Sequence, residues 1–221
     1  PLSGFMMVSG FVDFVYNNQN WINFLISATI TLFVGMSVFL ATRGHNDQNV
    51  DLRQAFVLTT MSWVTIAFFG ALPFYLSNIN LNFTDSFFES MSGITTTGST
   101  ILINIEASPP GILVWRSLLQ WLGGIGVIVM AIAIFPMLSV GGMQLFKAEN
   151  FENPEKVVPR ATSLTRGIFI IYSVLTLIWA SLLYLSGMSS FDSILHSMTT
   201  IATGGYSTKS GSIGAFNSQL I

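Results

Sequence analysis

DSFFESMSGITTTGST, residues 85–100, has a second copy in this chain, DSILHSMTTIATGGYS, residues 192–207. Laid over each other without a gap, at a constant offset of 107, they are identical at seven of sixteen positions. Each follows an apolar run that ends in Tyr-Leu-Ser, at 75–77 and at 184–186. Such a repeat defines an architecture. The predicted unit is a span, a short amphipathic helix, a Thr/Gly strand and a second span.

The composition places this repeat in a membrane. Hydrophobic residues make up 51% of the 221 residues and charged residues only 8%, whereas soluble domains carry roughly 25% charged residues. The formal net charge is -2, no basic patch indicates nucleic-acid binding, and the lack of cysteine excludes a disulfide framework or a thiolate metal site. Because the chain begins at Pro1 and stops just after a Gly/Ser-rich stretch, we expect it to be part of a longer polypeptide.

Four uncharged runs are long enough to cross a bilayer, which takes about 20 predominantly apolar residues. A shorter run, Pro1–Val12, predicts part of a fifth helix that ends near Asn17. The second long run must end before its own tail, since Ser-Asn-Ile-Asn at 77–80 is typical of a turn. The four long runs are Phe14–Thr42, Gln54–Thr84, Ser117–Phe146 and Gly167–Phe191.

These runs predict an all-α membrane protein of helix–pore loop–helix repeats, with one complete repeat and part of a second after an N-terminal helix pair. Residues 1–53 would form that helix pair and a cytoplasmic loop, and residues 54–146 the first repeat. Residues 147–166 would form a cytoplasmic linker, and residues 167–221 a partial second repeat with its first helix, pore helix and filter.

The basic residues predict the orientation of the spans. Only Arg116 and Lys209, of eight Lys and Arg residues, lie outside the two charged connections between spans. The positive-inside rule therefore puts the charged connections in the cytoplasm and the Gly/Thr-rich segments on the extracytoplasmic side. The six residues in the charged connections are Arg43, Arg53, Lys147, Lys156, Arg160 and Arg166.

Each copy of the repeat predicts a short helix that re-enters the membrane from the outer face. Asp85 or Ser86 can cap the first helix, with Glu89 completing a capping box. Asp192 follows Ser189 in a similar role in the second copy. These helices are too short to span, so they must be buried among others, because irregular backbone at membrane depth is tolerated only inside protein or along a water-filled path.

The Thr/Gly runs carry the predicted chemistry. One such run alone is more often a turn, but two in register after re-entrant helices are far more specific. They hold no charge and no strong side-chain ligand, so they offer backbone carbonyls, which can replace the water shell of a potassium ion. Glycine at the equivalent positions 98 and 205 can aim its carbonyl inward, and the negative C-terminal end of the preceding helix favours a cation. The predicted filter residues are Thr95, Thr96, Thr97, Gly98, Ala202, Thr203, Gly204 and Gly205.

The segments DSFFESMSGITTTGSTIL, WRSLLQWLGGIGVIVMAIAIFPML and HSMTTIATGGYST resemble the TrkH-type members of the Trk/Ktr/HKT superfamily. The resemblance covers roughly Gln54 to the C-terminus, and the first two spans match the extra N-terminal helix pair of Trk-type members. It implies potassium uptake across the cell (inner) membrane by four repeats in one chain, with filters at Thr95–Gly98 and Ala202–Gly205. A serine at the first filter glycine goes with sodium transport in the family, so Gly98 favours potassium.

The resemblance also implies partners. These are a second copy in a homodimeric membrane part and a ring of cytosolic nucleotide-binding regulatory subunits. It implies no cofactor, with potassium as the transported ion. In the family the closing helix of the second repeat, the third and fourth repeats, the gating loop and a basic pore residue lie beyond the matched part, so we expect this segment alone not to conduct.

Two roles are possible for each of three ionisable residues in the membrane segments. Arg116 is either a charge at the pore mouth that acts on ions, or an interfacial anchor paired with an acid such as Glu106. Glu89 and His196 occupy equivalent repeat positions and are functional candidates because ionisable residues inside a membrane are costly. We favour a cap for Glu89 and a hydrogen bond to a neighbouring helix for His196.

The third long run contains small residues and a proline. Gly123, Gly124 and Gly126 indicate a gate hinge or, more often, close helix packing. Pro136 predicts a kink or the end of the helix.

Other functions stay open at this stage. A broken-helix secondary transporter of a small solute or sodium would bind at the midplane, but its repeats are often inverted, whereas these run in the same direction. An enzyme is disfavoured because the outer segments carry no paired carboxylates, histidine cluster or nucleophile–base set.

Overall fold

The computed structural model describes residues 1–44, 52–138, 157–216, 218 and 221. All regular structure in this part of the chain is helical, in agreement with the predicted fold class. The α-helices are α1 (Leu2–Val15), α2 (Trp21–Thr42), α3 (Leu52–Gly70), α4 (Leu72–Leu76), α5 (Phe83–Ile94), α6 (Pro110–Leu138), α7 (Val157–Leu185) and α8 (Ser190–Ile201), and the 3-10 helices are Ile105–Ala107 and Ser212–Phe216.

The four predicted spans are confirmed, with shifted boundaries. Helices long and apolar enough to cross a membrane cover Trp21–Thr42, Arg53–Leu76, Pro110–Ala131 and Leu164–Leu185. Residues 45–51 and 147–156, which belong to the predicted cytoplasmic connections, lie outside the described residues.

Two helices start away from the ends of the uncharged runs that predicted them, each for a local reason. The first span starts at Trp21 rather than Phe14, because a turn with φ 54° at Asn17 separates it from α1. The third starts at Pro110 rather than Ser117, because Arg116 lies inside the helix and does not mark its end. Proline suits a first helical position, since its fixed φ matches the helix and its missing N–H would have had no partner there.

The structure also tests two predictions about where helices end. The predicted turn after the second span is confirmed, with φ 56° at Asn80, and the equivalent Gly187 has φ 104°. Helix α6 continues past Pro136 to Leu138, so it does not end at this proline.

Helix α6 is the centre of the described fold. It packs against α1, α3, α5, α7 and α8, and 56% of its membrane window is buried, against 17% in each of the other three spans. Trp115 on α6 is fully buried, and its indole Nε1 donates to the Gly70 carbonyl at 2.9 Å. The large apolar side chains exposed on α2, α3 and α7 are those expected to face lipid.

Small residues allow α6 to lie close to its neighbours, which confirms the packing interpretation of its glycines. A Cβ atom on Gly123 would overlap the carbonyl oxygen of Ile94. A Cβ on Gly124 would lie 2.5 Å from the Tyr172 hydroxyl and 3.2 Å from Ala202. Helix α6 therefore touches the ends of both short helices, α5 and α8, through backbone.

Candidate functional site

The two pore helices, α5 and α8, begin with the same type of N-cap hydrogen bond. The side chain of Asn82 accepts a hydrogen bond from the Asp85 amide, and the side chain of the equivalent Ser189 accepts one from the Asp192 amide. The first cap is therefore Asn82 rather than Asp85 or Ser86, and Glu89 is not part of a capping box. The equivalent caps start two helices of 12 residues each in the same register.

The two helices also end in the same way. The Thr97 amide donates to the Ser92 carbonyl at 3.0 Å, and the equivalent Gly204 amide donates to the Thr199 carbonyl at 2.8 Å. These bonds turn the chain out of each helix at the same residue. Each Thr/Gly run therefore starts directly at the negative end of a helix dipole.

Left-handed backbone geometry occurs at the same alternate positions in both runs. Thr96 and Thr203 both have φ 55°, and Gly98 and Gly205 both have φ 79°. Glycine adopts this geometry at little cost, but a β-branched residue rarely does so. Such strain costs about 1–3 kcal/mol per residue and concentrates at functional sites, where the surrounding structure maintains it.

The fold brings the two runs together. A Cβ atom on Gly98 would overlap the carbonyl oxygen of Gly204, and a Cβ on Gly204 would overlap the amide group of Gln120. No side chain therefore fits at either position. Apart from its chain neighbours, no described residue lies within 4 Å of a Cβ placed on Gly205. We call residues 95–101 and 202–208 the first and second pore loops.

Glu89 reaches from α5 to the far end of the first pore loop. Its carboxylate accepts hydrogen bonds from the Thr100 hydroxyl at 2.9 Å and from the Ile101 amide at 3.2 Å. Arg116 Nε donates to the same carboxylate at 2.8 Å, and both side chains are almost fully buried. The suggested partner of Arg116, Glu106, instead accepts hydrogen bonds from Ser210.

Arg116 also contacts the second pore loop. Its Nη1 donates to the Ser207 carbonyl at 3.0 Å, and its guanidinium carbon lies 4.0 Å from the centre of the Tyr206 ring. The Tyr206 hydroxyl donates to the Glu89 carbonyl oxygen at 2.8 Å. Arg116 is thus an interior residue that joins both loops, and any action of its charge on ions at a pore mouth stays a prediction.

His196 takes the place of Glu89 in the second repeat. Its Nε2 lies 3.3 Å from the Thr208 hydroxyl and 3.5 Å from the Ser207 hydroxyl. These two residues are the repeat equivalents of Ile101 and Thr100, the partners of Glu89. Among the described residues, the His196 ring therefore contacts the loop of its own repeat and the ring of Phe216 in the 3-10 helix Ser212–Phe216. The hydrogen bond to a neighbouring helix suggested from the sequence is not found among them.

Gln120 is a residue of the site that sequence reasoning missed. It is fully buried, and its Oε1 accepts a hydrogen bond from the Tyr206 amide at 3.1 Å. It lies one helical turn after Arg116, so both side chains leave α6 on the same face. An amide inside an apolar span, four residues from an arginine, is the signal that could have identified it.

The site offers neutral oxygen atoms rather than a cluster of charged ligands. Among the described residues there is no group of three or more His, Asp or Glu side chains that could hold a metal ion. Glu89 and Arg116 are paired with each other and bonded to loop residues. The Gly204 carbonyl oxygen and the side-chain amide of Gln120 lie at the close approach of Gly98 and Gly204.

Comparison with known proteins assigns the chain to a family. Residues 20–221 match the family model TrkH, described as a cation transport protein. This chain belongs to the TrkH family. The match extends the resemblance seen in the sequence from Gln54 back to residue 20.

Named relatives agree with the TrkH assignment. The chain is 50% identical over 166 residues to the Trk system potassium uptake protein TrkI of Halomonas elongata, which covers 75% of this chain and 34% of that protein. It is 40% identical over 223 residues to the Trk system potassium uptake protein TrkH of Escherichia coli K12, covering 99% of this chain and 46% of that protein.

A solved TrkH structure confirms the fold. The crystal structure of the potassium transporter TrkH from Vibrio parahaemolyticus matches with a TM-score of 0.86 at 34% identity, over 99% of this chain and 44% of that chain. The chain is therefore an integral membrane protein with the TrkH helix–pore loop–helix fold. It spans less than half the length of these relatives.

Proposed function

We propose that this chain supplies two of the pore loops of a potassium uptake protein, and that the backbone of Thr95–Gly98 and Ala202–Gly205 lines the ion path. The observation that carries the proposal is the matched left-handed geometry at Thr96 and Thr203 and at Gly98 and Gly205. Strain repeated at equivalent positions of two loops that lie against each other is expected of a functional backbone. The relatives named as potassium uptake proteins support the choice of ion.

The proposed mechanism uses main-chain oxygens. In an extended strand neighbouring carbonyls point to opposite sides, and left-handed geometry at every second residue lets them share one side. Carbonyls on one side can replace the hydration shell of a potassium ion. The C-terminal ends of α5 at Ile94 and of α8 at Ile201 add negative potential at the start of each loop. No carboxylate is then needed on the path itself.

The charge distribution and the resemblance indicate how the chain is oriented in the membrane and which partners it has. The charged connections that carry Arg43 and Arg53 and residues 147–166 would face the cytoplasm, and the pore loops would open to the outside of the cell (inner) membrane. The remaining pore loops, a second copy in a homodimer and a ring of nucleotide-binding regulatory subunits are the partners we propose. Residues 54–146 and 167–221 would form the first repeat and part of the second.

The test uses the full-length protein in a bacterium that lacks its own potassium uptake systems. Gly98→Ala and Gly205→Ala should each reduce rubidium uptake or its preference over sodium by about tenfold or more, a change of about 1.4 kcal/mol. Gly35→Ala in α2 is the matched control, because a Cβ there meets no other described part of the chain within 4 Å, and it should transport normally. Unchanged rubidium uptake together with unchanged ion preference in both loop variants would refute the proposal, and uptake that does not depend on potassium or rubidium would favour a solute transporter.

A further inference from the structure

Arg116 connects two segments that are far apart in the chain. Its Nε donates to Glu89 on the first pore helix at 2.8 Å, and its Nη1 donates to the Ser207 carbonyl in the second pore loop at 3.0 Å. Glu89 in turn holds the hydroxyl of Thr100 at the end of the first pore loop. One side chain on α6 therefore joins the outer parts of both loops.

The contact between Arg116 and Glu89 is buried away from solvent. Arg116 is 1% exposed, Glu89 0% and Tyr206 3%. A buried ion pair adds little net stability over well-packed apolar residues, because the cost of removing both charges from water offsets their attraction. Stability alone is therefore a weak reason for the pair. Geometry is a stronger one, since the planar guanidinium presents donors in a rigid fork that fixes two acceptors relative to each other.

The second repeat lacks this arrangement. His196, the equivalent of Glu89, contacts only residues of its own repeat within the described pore loops, at 3.3 Å and 3.5 Å. In the first repeat, by contrast, Glu89 is paired with Arg116, which also contacts the second repeat. Gln120, one turn further along α6, adds a second contact by accepting from the Tyr206 amide.

We propose that Arg116 is a positioning residue for ion selectivity. By holding the Glu89 carboxylate and the Ser207 carbonyl at once, it sets the distance between the two pore loops, and this distance sets the preference for potassium over sodium. Selectivity in a carbonyl-lined site depends on the size of the cavity and on the number and field of its oxygens, and both change if one loop shifts. The inference rests on the function proposed above.

Two variants separate positioning from charge balance. Arg116→Lys keeps the positive charge beside Glu89 but removes the fork that reaches Ser207. The double variant Glu89→Gln, Arg116→Met leaves no charge unpaired, so we expect it to reach the membrane in near normal amounts. If the pair only balances charge, both variants should select ions normally.

The experiment measures rubidium and sodium uptake by the full-length protein in proteoliposomes. We expect the preference for rubidium to fall about tenfold in both Arg116 variants, the loss expected for one charge-assisted hydrogen bond. Trp115→Phe is the matched control, because it removes a buried hydrogen bond that α6 donates to Gly70 of α3 rather than to either pore loop. It should lower the thermal stability of the protein and leave the ion preference unchanged.

Several results would overturn the inference. A normal ion preference in both Arg116 variants, or an equal fall in Trp115→Phe, would show that Arg116 does not set the loop spacing. If the Arg116 variants fail to insert, Tyr206→Phe tests the same loop spacing through a different link: it removes the hydroxyl that lies 2.8 Å from the main-chain carbonyl of Glu89 and 3.3 Å from that of Ser99. A normal ion preference in Tyr206→Phe would refute the idea that the spacing of the two loops sets the preference. A wild-type protein with no preference for rubidium would instead refute the proposed function, and this inference with it.

Discussion

Asp13 accepts a hydrogen bond from the Gly111 amide at 2.6 Å, although 98 residues separate them in the chain. Asp13 is the fully buried carboxylate of the last turn of α1, and Gly111 lies in the first turn of α6. A negative side chain at a helix N-terminus is favourable, because the free amides and the helix dipole are positive there. Asn20 donates to the same carboxylate at 2.9 Å. The N-terminal helices are thereby attached to the helix that positions both pore loops.

Asp13→Ala should destabilise the protein by about 2 kcal/mol or more, because it leaves the buried donors of Gly111 and Asn20 without an acceptor. Asp13→Asn keeps one acceptor oxygen and should lie between the alanine variant and the wild type. The thermal midpoint of the full-length protein in detergent measures both effects. An alanine variant with the same thermal midpoint as the wild type would show that this contact does not hold α1 on α6.

Two glycines of α6, one turn apart, should respond in opposite ways to the same substitution. Gly123→Ala places a methyl group on the Ile94 carbonyl, so it should separate α6 from the end of the first pore helix and cost about 1–3 kcal/mol. Among the described residues, the methyl group of Gly126→Ala would meet the Trp63 ring at 3.5 Å, which is an ordinary van der Waals distance. It should be neutral or stabilising by up to about 1 kcal/mol, since alanine favours the helix. Equal melting temperatures for the two variants would contradict this packing.

The contact between Glu106 and Ser210 should depend on pH. Hydrogen bonds from the Ser210 hydroxyl and amide hold the pKa of the exposed Glu106 carboxyl below its usual value of 4.5. A lowered pKa in the folded state means that the stabilisation is fully present above pH 4.5 and is lost as the pH falls through the folded pKa. The thermal midpoints of wild type and Glu106→Gln should therefore differ near neutral pH and converge in acid. A difference that does not change with pH would exclude the ionised carboxylate as its source.

Several features could be predicted from local sequence because they depend on neighbouring residues. Apolar length predicted the four spans, and the offset of 107 predicted the equivalence of the two pore helices. Glycine was expected at positions 98 and 205 to permit backbone angles that a Cβ resists, and both glycines have φ 79°. The capping residue was wrong by a few positions. Both Asn82 and Ser86 can accept from a helix amide, and only the actual start of the helix decides between them.

The partners of buried polar groups could not be predicted in the same way. Arg116 was assigned to an exposed end of its helix because charge marks the boundary of a span, and Glu106 was its nearest acid in the chain. The fold places Glu89 beside it instead, at 2.8 Å. The amide of Gln120 was overlooked because its partner, Tyr206, lies 86 residues further along the chain.

Short segments are enough to predict a repeated helix–pore loop–helix membrane protein, because hydrophobic length, repeat register and the need for glycine where a carbonyl must turn inward are local properties. The side chains that hold the two loops together became clear only from the packed helices. Contacts such as Asp13 with Gly111 and Arg116 with Ser207 join segments about 90 to 100 residues apart. A buried polar group must find a partner, but which partner it meets depends on how α6 packs among its neighbours.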